Sequence, residues 1–147
     1  MPRPSTREIT ACCEAAACLA MASLAIRLLP FRSVVKLMGR TDPSARGSAA
    51  DPLRVRKAVH RASRRLPWRT LCFQEGLAAH WMLRRRGQPS RLHYGIRQQD
   101  DRLTAHVWID VHGVVVIGEE QSESAHSAVA AYPAPEASRL PLTPGSV

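Results

Sequence analysis

Cys72, His106 and Glu119 are the residues whose types and order could do chemistry together in this chain of 147 residues. A thiol, an imidazole and a carboxylate are the parts of a nucleophile, a general base and the acid that orients it. Cys72 stands near the front of the stretch RTLCFQEGLAAHWMLRRRG, residues 69–87. The spacing predicts a helix that begins at this cysteine. Backbone N–H groups and the positive end of the helix dipole favour thiolate over thiol there, whereas a thiol in mid-helix would only fill space. The other cysteines, Cys12, Cys13 and Cys18, crowd one apolar segment. With no Cys-x-x-Cys pair and no histidine at a zinc-ligand spacing, neither a structural metal, nor a disulfide framework, nor a cofactor is expected.

A base must reach the thiol from elsewhere in the fold. Of the six histidines, His60 lies on a basic helix, His80 is two turns along the cysteine helix, and His126 is in a segment of uncertain type. His112 belongs to a turn, where a polar residue has no need of a catalytic role. His106 is a better placed base than His93, because it lies in an apolar strand on the face that also carries Trp108. If His112 and Gly113 are the two residues of a hairpin turn, Val111 faces Val114 and His106 lies opposite Glu119. Directly opposed side chains have Cβ atoms about 5 Å apart, close enough for a carboxylate to hold one ring nitrogen. A slip or bulge of one residue would put Gly118 or Glu120 there instead. Asp110 shares the face of His106 but lies roughly 13 Å along the strand.

The elements that must position these groups are legible in the periodicity. Residues 7–28 read as one Ala- and Leu-rich helix stopped by Pro30, and FRSVVKLMGR as a short second one. The polar loop TDPSARGSAADP leads to Asp51 as N-cap and Pro52 as first helical residue of a third helix, running to about Arg65, with Val55, Val59, Ala62 and Leu66 as its apolar stripe. In the cysteine helix Phe73, Leu77 and Trp81 form the expected buried side, with Arg84, Arg85 and Arg86 in the last turn and Gly87 closing it. The period then changes to two. RLHYGIR and LTAHVWIDV read as strands, HG turns into VVVIG, and AVAAY is a candidate further strand. Helices followed by an antiparallel sheet make an α+β fold, expected as one domain over residues 1–134, with 135–147 having the composition of a disordered tail.

Composition limits the partners. A net charge of +9 points toward acidic ones. The span 51–69 holds seven cations and one acid, so a basic helical module for nucleic acid is an alternative. It lacks obvious base-reading residues among its arginines and aromatics for stacking, and nucleic acid is not the expected partner. The apolar run 15–26 is short for a bilayer span and Glu14 spoils a signal peptide, so no membrane insertion and a cytoplasmic location are expected.

With those residues in view, the sequence resembles the lasso-peptide leader peptidases, small transglutaminase-like cysteine proteases. LPWRTLCFQEGLAAHWMLRRRGQPSRLHYGI is similar to the family's Arg-x-x-Cys entry, arginine-rich helix end and following strand. AHVWIDVHGVVVIG is similar to its His-Ala-Trp-Val-Glu hairpin, and RLLPFRSVVKLMGR to its N-terminal helices. The resemblance implies a papain-like or transglutaminase-like core in which Cys72 cuts the leader from a ribosomally made lasso precursor and His106 carries the proton. It further implies a separate leader-recognition protein and a macrolactam-forming cyclase as partners. The family's third residue is an aspartate on the strand after the histidine. This chain has Glu119 and Glu120 there and Asp110 in place of the block's glutamate, so the orienting acid stays open among the three. A non-catalytic scaffold that carries the precursor would keep the same fold.

Overall fold

The computed structural model describes residues 5–38, 47–99, 102–118 and 127–132. Within them, helices α1 (Thr6–Leu28), α2 (Phe31–Met38), α3 (Asp51–Ser63) and α4 (Cys72–Arg85) precede strands β1 (Ser90–Gln99), β2 (Arg102–Val111), β3 (Val114–Ile117) and β4 (Ser127–Tyr132). The strands form one antiparallel sheet in the order β3-β2-β1-β4. The architecture is therefore α+β, as the order of periodicities requires. The apolar run AVAAY lies within β4 and pairs with β1. Glu119, Glu120, His126 and the expected tail lie outside the described residues.

Local chemistry sets the helix ends. Ser5 and Glu8 make a reciprocal capping box at α1: the Ser5 hydroxyl accepts the Glu8 N–H at 3.3 Å and the Glu8 carboxylate accepts the Ser5 N–H at 2.9 Å. Pro30 separates α1 from α2 and supplies the first acceptor of α2, with Val34 N–H donating to its carbonyl at 3.2 Å. At α3 the expected cap is displaced by one residue. Ala50 occupies the cap position with helical backbone angles, Asp51 is the first helical residue, and its carboxylate takes the Ser48 N–H at 3.1 Å and Arg54 at 3.2 Å. At the far end of α4, Gly87 adopts φ +67°. Its N–H bonds the Arg84 carbonyl and the Gln88 N–H bonds that of Leu83, both at 3.0 Å, a paired closure that needs the left-handed residue.

Helix α1 has 23 residues and is long and apolar enough to cross a membrane by length and composition, more than the 12-residue apolar run alone suggests. In this fold it buries Ala11, Ala15, Cys18, Leu19, Ala22 and Ser23 against α3 and α4. Small side chains on that stripe let the helix backbones approach, and burial pushes the Cys18 thiol up. Glu14 anchors α1 to the end of α4 by a two-pronged pair with Arg86, at 3.1 and 2.5 Å.

Helix α4 is the central element, with α1 and α3 on one side and the sheet on the other. It is consequently buried on more than one face. Leu77 is fully buried as expected, but Phe73 and Trp81 are only partly so. Gly76, Ala79, His80, Met82 and Leu83 are buried instead. Against the sheet it presents Gly76, where a Cβ would lie 2.9 Å from Val107 Cγ1 and 3.4 Å from Leu92 Cδ1. One turn on, His80 sits in the core. Its Nε2 donates to the Met38 carbonyl at 3.1 Å, so Nδ1 is the atom that accepts the Ser90 hydroxyl at 2.9 Å. Burial holds its pKa below the ordinary histidine value.

Candidate active site

Cys72 is the first helical residue of α4 and is partly buried against the core. The preceding Leu71 is extended, and its N–H is taken by the Gln74 side chain at 2.7 Å, while Thr70 donates to Glu75 at 2.7 Å. These two bonds stop the chain from continuing the helix backward and leave Cys72 in the first turn, where amide N–H groups point out of the helix start. Phe73, the next residue, packs its ring on Phe31 of α2 with centroids 5.9 Å apart.

The axis of α4 fixes the height of Cys72 over the sheet. His80 meets Ser90, and Gly76 meets Leu92. Four helical residues, about 6 Å, therefore match two strand residues. One further turn back brings Cys72 level with Ala105 and His106 of β2. The helix start and the imidazole thus lie at the same height on the sheet.

They are approached from different faces of β2. Leu92, Val107 and Ile109 turn toward α4, so alternation turns His106, Trp108 and Asp110 the other way. On that second face the rings are stacked. His93 lies opposite Trp108 across the β1–β2 ladder, with centroids 5.3 Å apart and planes within 6°, and His106 follows on the other side at 6.5 Å and 16°. Trp108 is fully buried and His106 is buried. Past Ile117 no described β3 residue pairs with β2, so β3 covers the outer edge of β2 only as far as Ile109. At the level of His106, that edge is where the two faces meet.

The hairpin turn is as expected. His112 and Gly113 take φ 51° and 80°, the paired left-handed geometry of a two-residue turn, and Val111 faces Val114. The register does not stay constant. Asp110 faces Val115, but Ile109 faces Ile117, so the ladder shifts by one residue between them. The count that sets Glu119 opposite His106 assumes no such shift. A bulge there is the circumstance under which Glu120 takes its place, and both glutamates lie outside the described residues.

Asp110, the third open acid, hydrogen-bonds His93 Nε2 and accepts the Gly113 N–H at 2.8 Å. Burial alone would raise its pKa; the bonds from His93 and Gly113, with Arg91 nearby, outweigh it and hold the carboxyl below its ordinary value. Its partner is the histidine across the ladder, which the single-hairpin count could not reveal. A second missed residue is Gly118, with φ +86°. A Cβ there would lie 2.9 Å from Trp108 Cβ and 3.0 Å from His106 Nε2. Only glycine lets the chain pass so close to the ring. The signals for both were present in principle: a β1–β2 register count places His93 on Trp108, and a glycine closing an apolar strand marks close approach.

Among the described residues no cluster of three or more His, Cys, Asp or Glu could hold a metal ion. Residues 15–130 match the family model of the transglutaminase-like superfamily. No curated protein and no solved structure matches the chain.

Proposed function

The chain belongs to the transglutaminase-like superfamily, and from that premise we propose that it is a cysteine peptidase that removes the leader from a ribosomally made lasso-peptide precursor. The observation that carries this reading is the position of Cys72, first in α4 and level with His106. In the proposed reaction Cys72 Sγ attacks the scissile carbonyl carbon and His106 takes the thiol proton. The same imidazole returns it to the departing amine as the C–N bond breaks. Water then attacks the thioester, releasing the leader carboxylate and restoring the thiol. The Cys72 N–H is a candidate donor to the oxyanion. A carboxylate, Glu119 by the hairpin count or Glu120 after a shift, orients the ring. A leader-recognition protein would present the precursor and a cyclase would receive the core peptide, in the cytoplasm.

Cys72→Ala and Cys72→Ser are expected to abolish cleavage of the precursor encoded beside this chain, with circular dichroism unchanged, and His106→Ala to do the same. Undiminished cleavage by Cys72→Ala ends the proposal. A non-catalytic scaffold that carries the precursor is the second reading, favoured by the face of β2 on which the His106 ring lies. Iodoacetamide separates the two: Cys72 should be alkylated well ahead of Cys13, the exposed thiol of α1, if it is a nucleophile, and not ahead of it if it is only packing.

A further inference from the structure

The hairpin end of the sheet carries a groove that the peptidase reading leaves unused. It is a cavity of about 810 Å³ between the start of α3, with Pro52, Leu53 and Arg56, and strand β3, with Val114, Val115 and Val116. Leu53 and Val114 are 55% and 68% exposed. Side chains on a strand alternate between faces, so three successive residues can line one cavity only where it reaches the strand's edge. β3 is the outermost strand on its side of the sheet. In a two-residue hairpin the residues flanking the turn, here Val111 and Val114, exchange the ladder hydrogen bonds. The N–H and C=O of Val115 therefore face away from β2, along the free edge.

Two features say what would cover that edge. Exposed edge strands are ordinarily guarded against pairing by lysine, proline or an inward charge, and β3 reads Val-Val-Val-Ile with none. The opposite wall is basic. Arg56 lines it, and α3 carries Arg54, Arg56, Lys57 and Arg61 against Asp51 alone.

We propose that this groove binds an extended peptide segment in which apolar residues alternate with acidic ones, added to β3 as a further strand. Main-chain bonds to Val115 supply affinity, the apolar side chains pack against Leu53 and Val114, and the acidic ones face α3. The edge also has a direction. From Val114 to Ile117 it advances roughly 10 Å and ends at Gly118, beside His106 Nε2. A peptide paired there is carried to the imidazole, so the groove would hold the part of a substrate away from the cut. That delivery rests on the peptidase reading; the binding does not.

The test uses the full chain as Cys72→Ala and fluorescence anisotropy with a fluorescein-labelled synthetic hexapeptide alternating valine and glutamate. Saturable binding is expected, with at least about tenfold weaker binding of the valine–lysine peptide and of a valine–glutamate peptide N-methylated on alternate residues. Leu53→Glu, a change at an exposed position, should weaken binding about as much at an unchanged melting temperature. Equal affinity for the two charge types, indifference to Leu53→Glu, or no saturable binding overturns the proposal. If the peptide binds while the Cys72 chain cuts no precursor, the groove stands and the peptidase reading falls. If the precursor is cut at a rate that saturating valine–glutamate peptide does not change, delivery along β3 falls.

Discussion

The two faces of the β1–β2 hairpin are built from alternate residues of the same strands and hold different chemistry. On one, Leu92, Val107 and Ile109 lie against α4. On the other, Trp108 is stacked between His93 and His106, with Asp110 bonding His93. The first face works by exclusion of water and sets the height of Cys72. The second works by ring stacking and hydrogen bonds and sets the plane of His106. Period two lets one ten-residue strand serve both without either face interrupting the other.

Removing the largest group from each face measures how much each is packed. Trp108→Ala should cost about 3–5 kcal/mol and Ile109→Ala about 2–5 kcal/mol in urea unfolding, since both side chains are fully buried. A Trp108→Ala cost within about 0.5 kcal/mol of zero, the range of plain surface changes, would show that the stacked face is not a second core. A change in the opposite sense sharpens the first face. Gly76→Ala puts a methyl 2.9 Å from Val107 and should cost about 1–3 kcal/mol by overpacking. Val107→Ala in the same chain should recover part of that, and strict additivity would deny the contact.

The remaining two changes act through protons. Asp110 has a folded pKa below its ordinary 3.8, so its carboxylate contributes stability above that value that is lost as pH falls through the folded one. Asp110→Asn should therefore melt below the parent near neutral pH, and the two melting curves should converge in acid. A constant gap would assign the effect to shape alone. On the α4 face, His80 has a pKa held below 6.5 by burial. The unfolded chain binds that proton first, so stability should decline as pH drops below 6.5. His80→Gln should remove that slope at the cost of some stability at every pH, and an unchanged slope would place its origin elsewhere. This is the smallest of the effects.

Much of the scaffold was legible because its signals are local. Pro30, the Asp51–Pro52 pair, Gly87 and the His112–Gly113 turn each impose their own backbone geometry, and the elements they bound lie where the periodicities put them. The apolar stripe of α3 held at Val55, Val59 and Ala62. That of α4 was misread because its spacing was scored as a one-sided helix, while layers on both sides bury it more widely. His80 was set aside as too far from Cys72 for catalysis, and its distance from the thiol is what allows it to serve the core. Asp110 was correctly placed away from His106, but its partner His93 required a second strand pairing that no turn signals.

What the amino-acid sequence determined alone is therefore the order of elements, the sharp turns and a thiol at the first position of a helix. Backbone preferences of Pro, Gly and cap residues act within a few residues of themselves. Tertiary structure alone decided that Trp108 separates two imidazoles, that the β2–β3 ladder shifts at Ile109, that Gly118 lies under the ring of His106, and that the cysteine helix ends level with it. Each depends on how far α4 slides along the sheet and on one residue of register, quantities set by packing among segments distant in the chain.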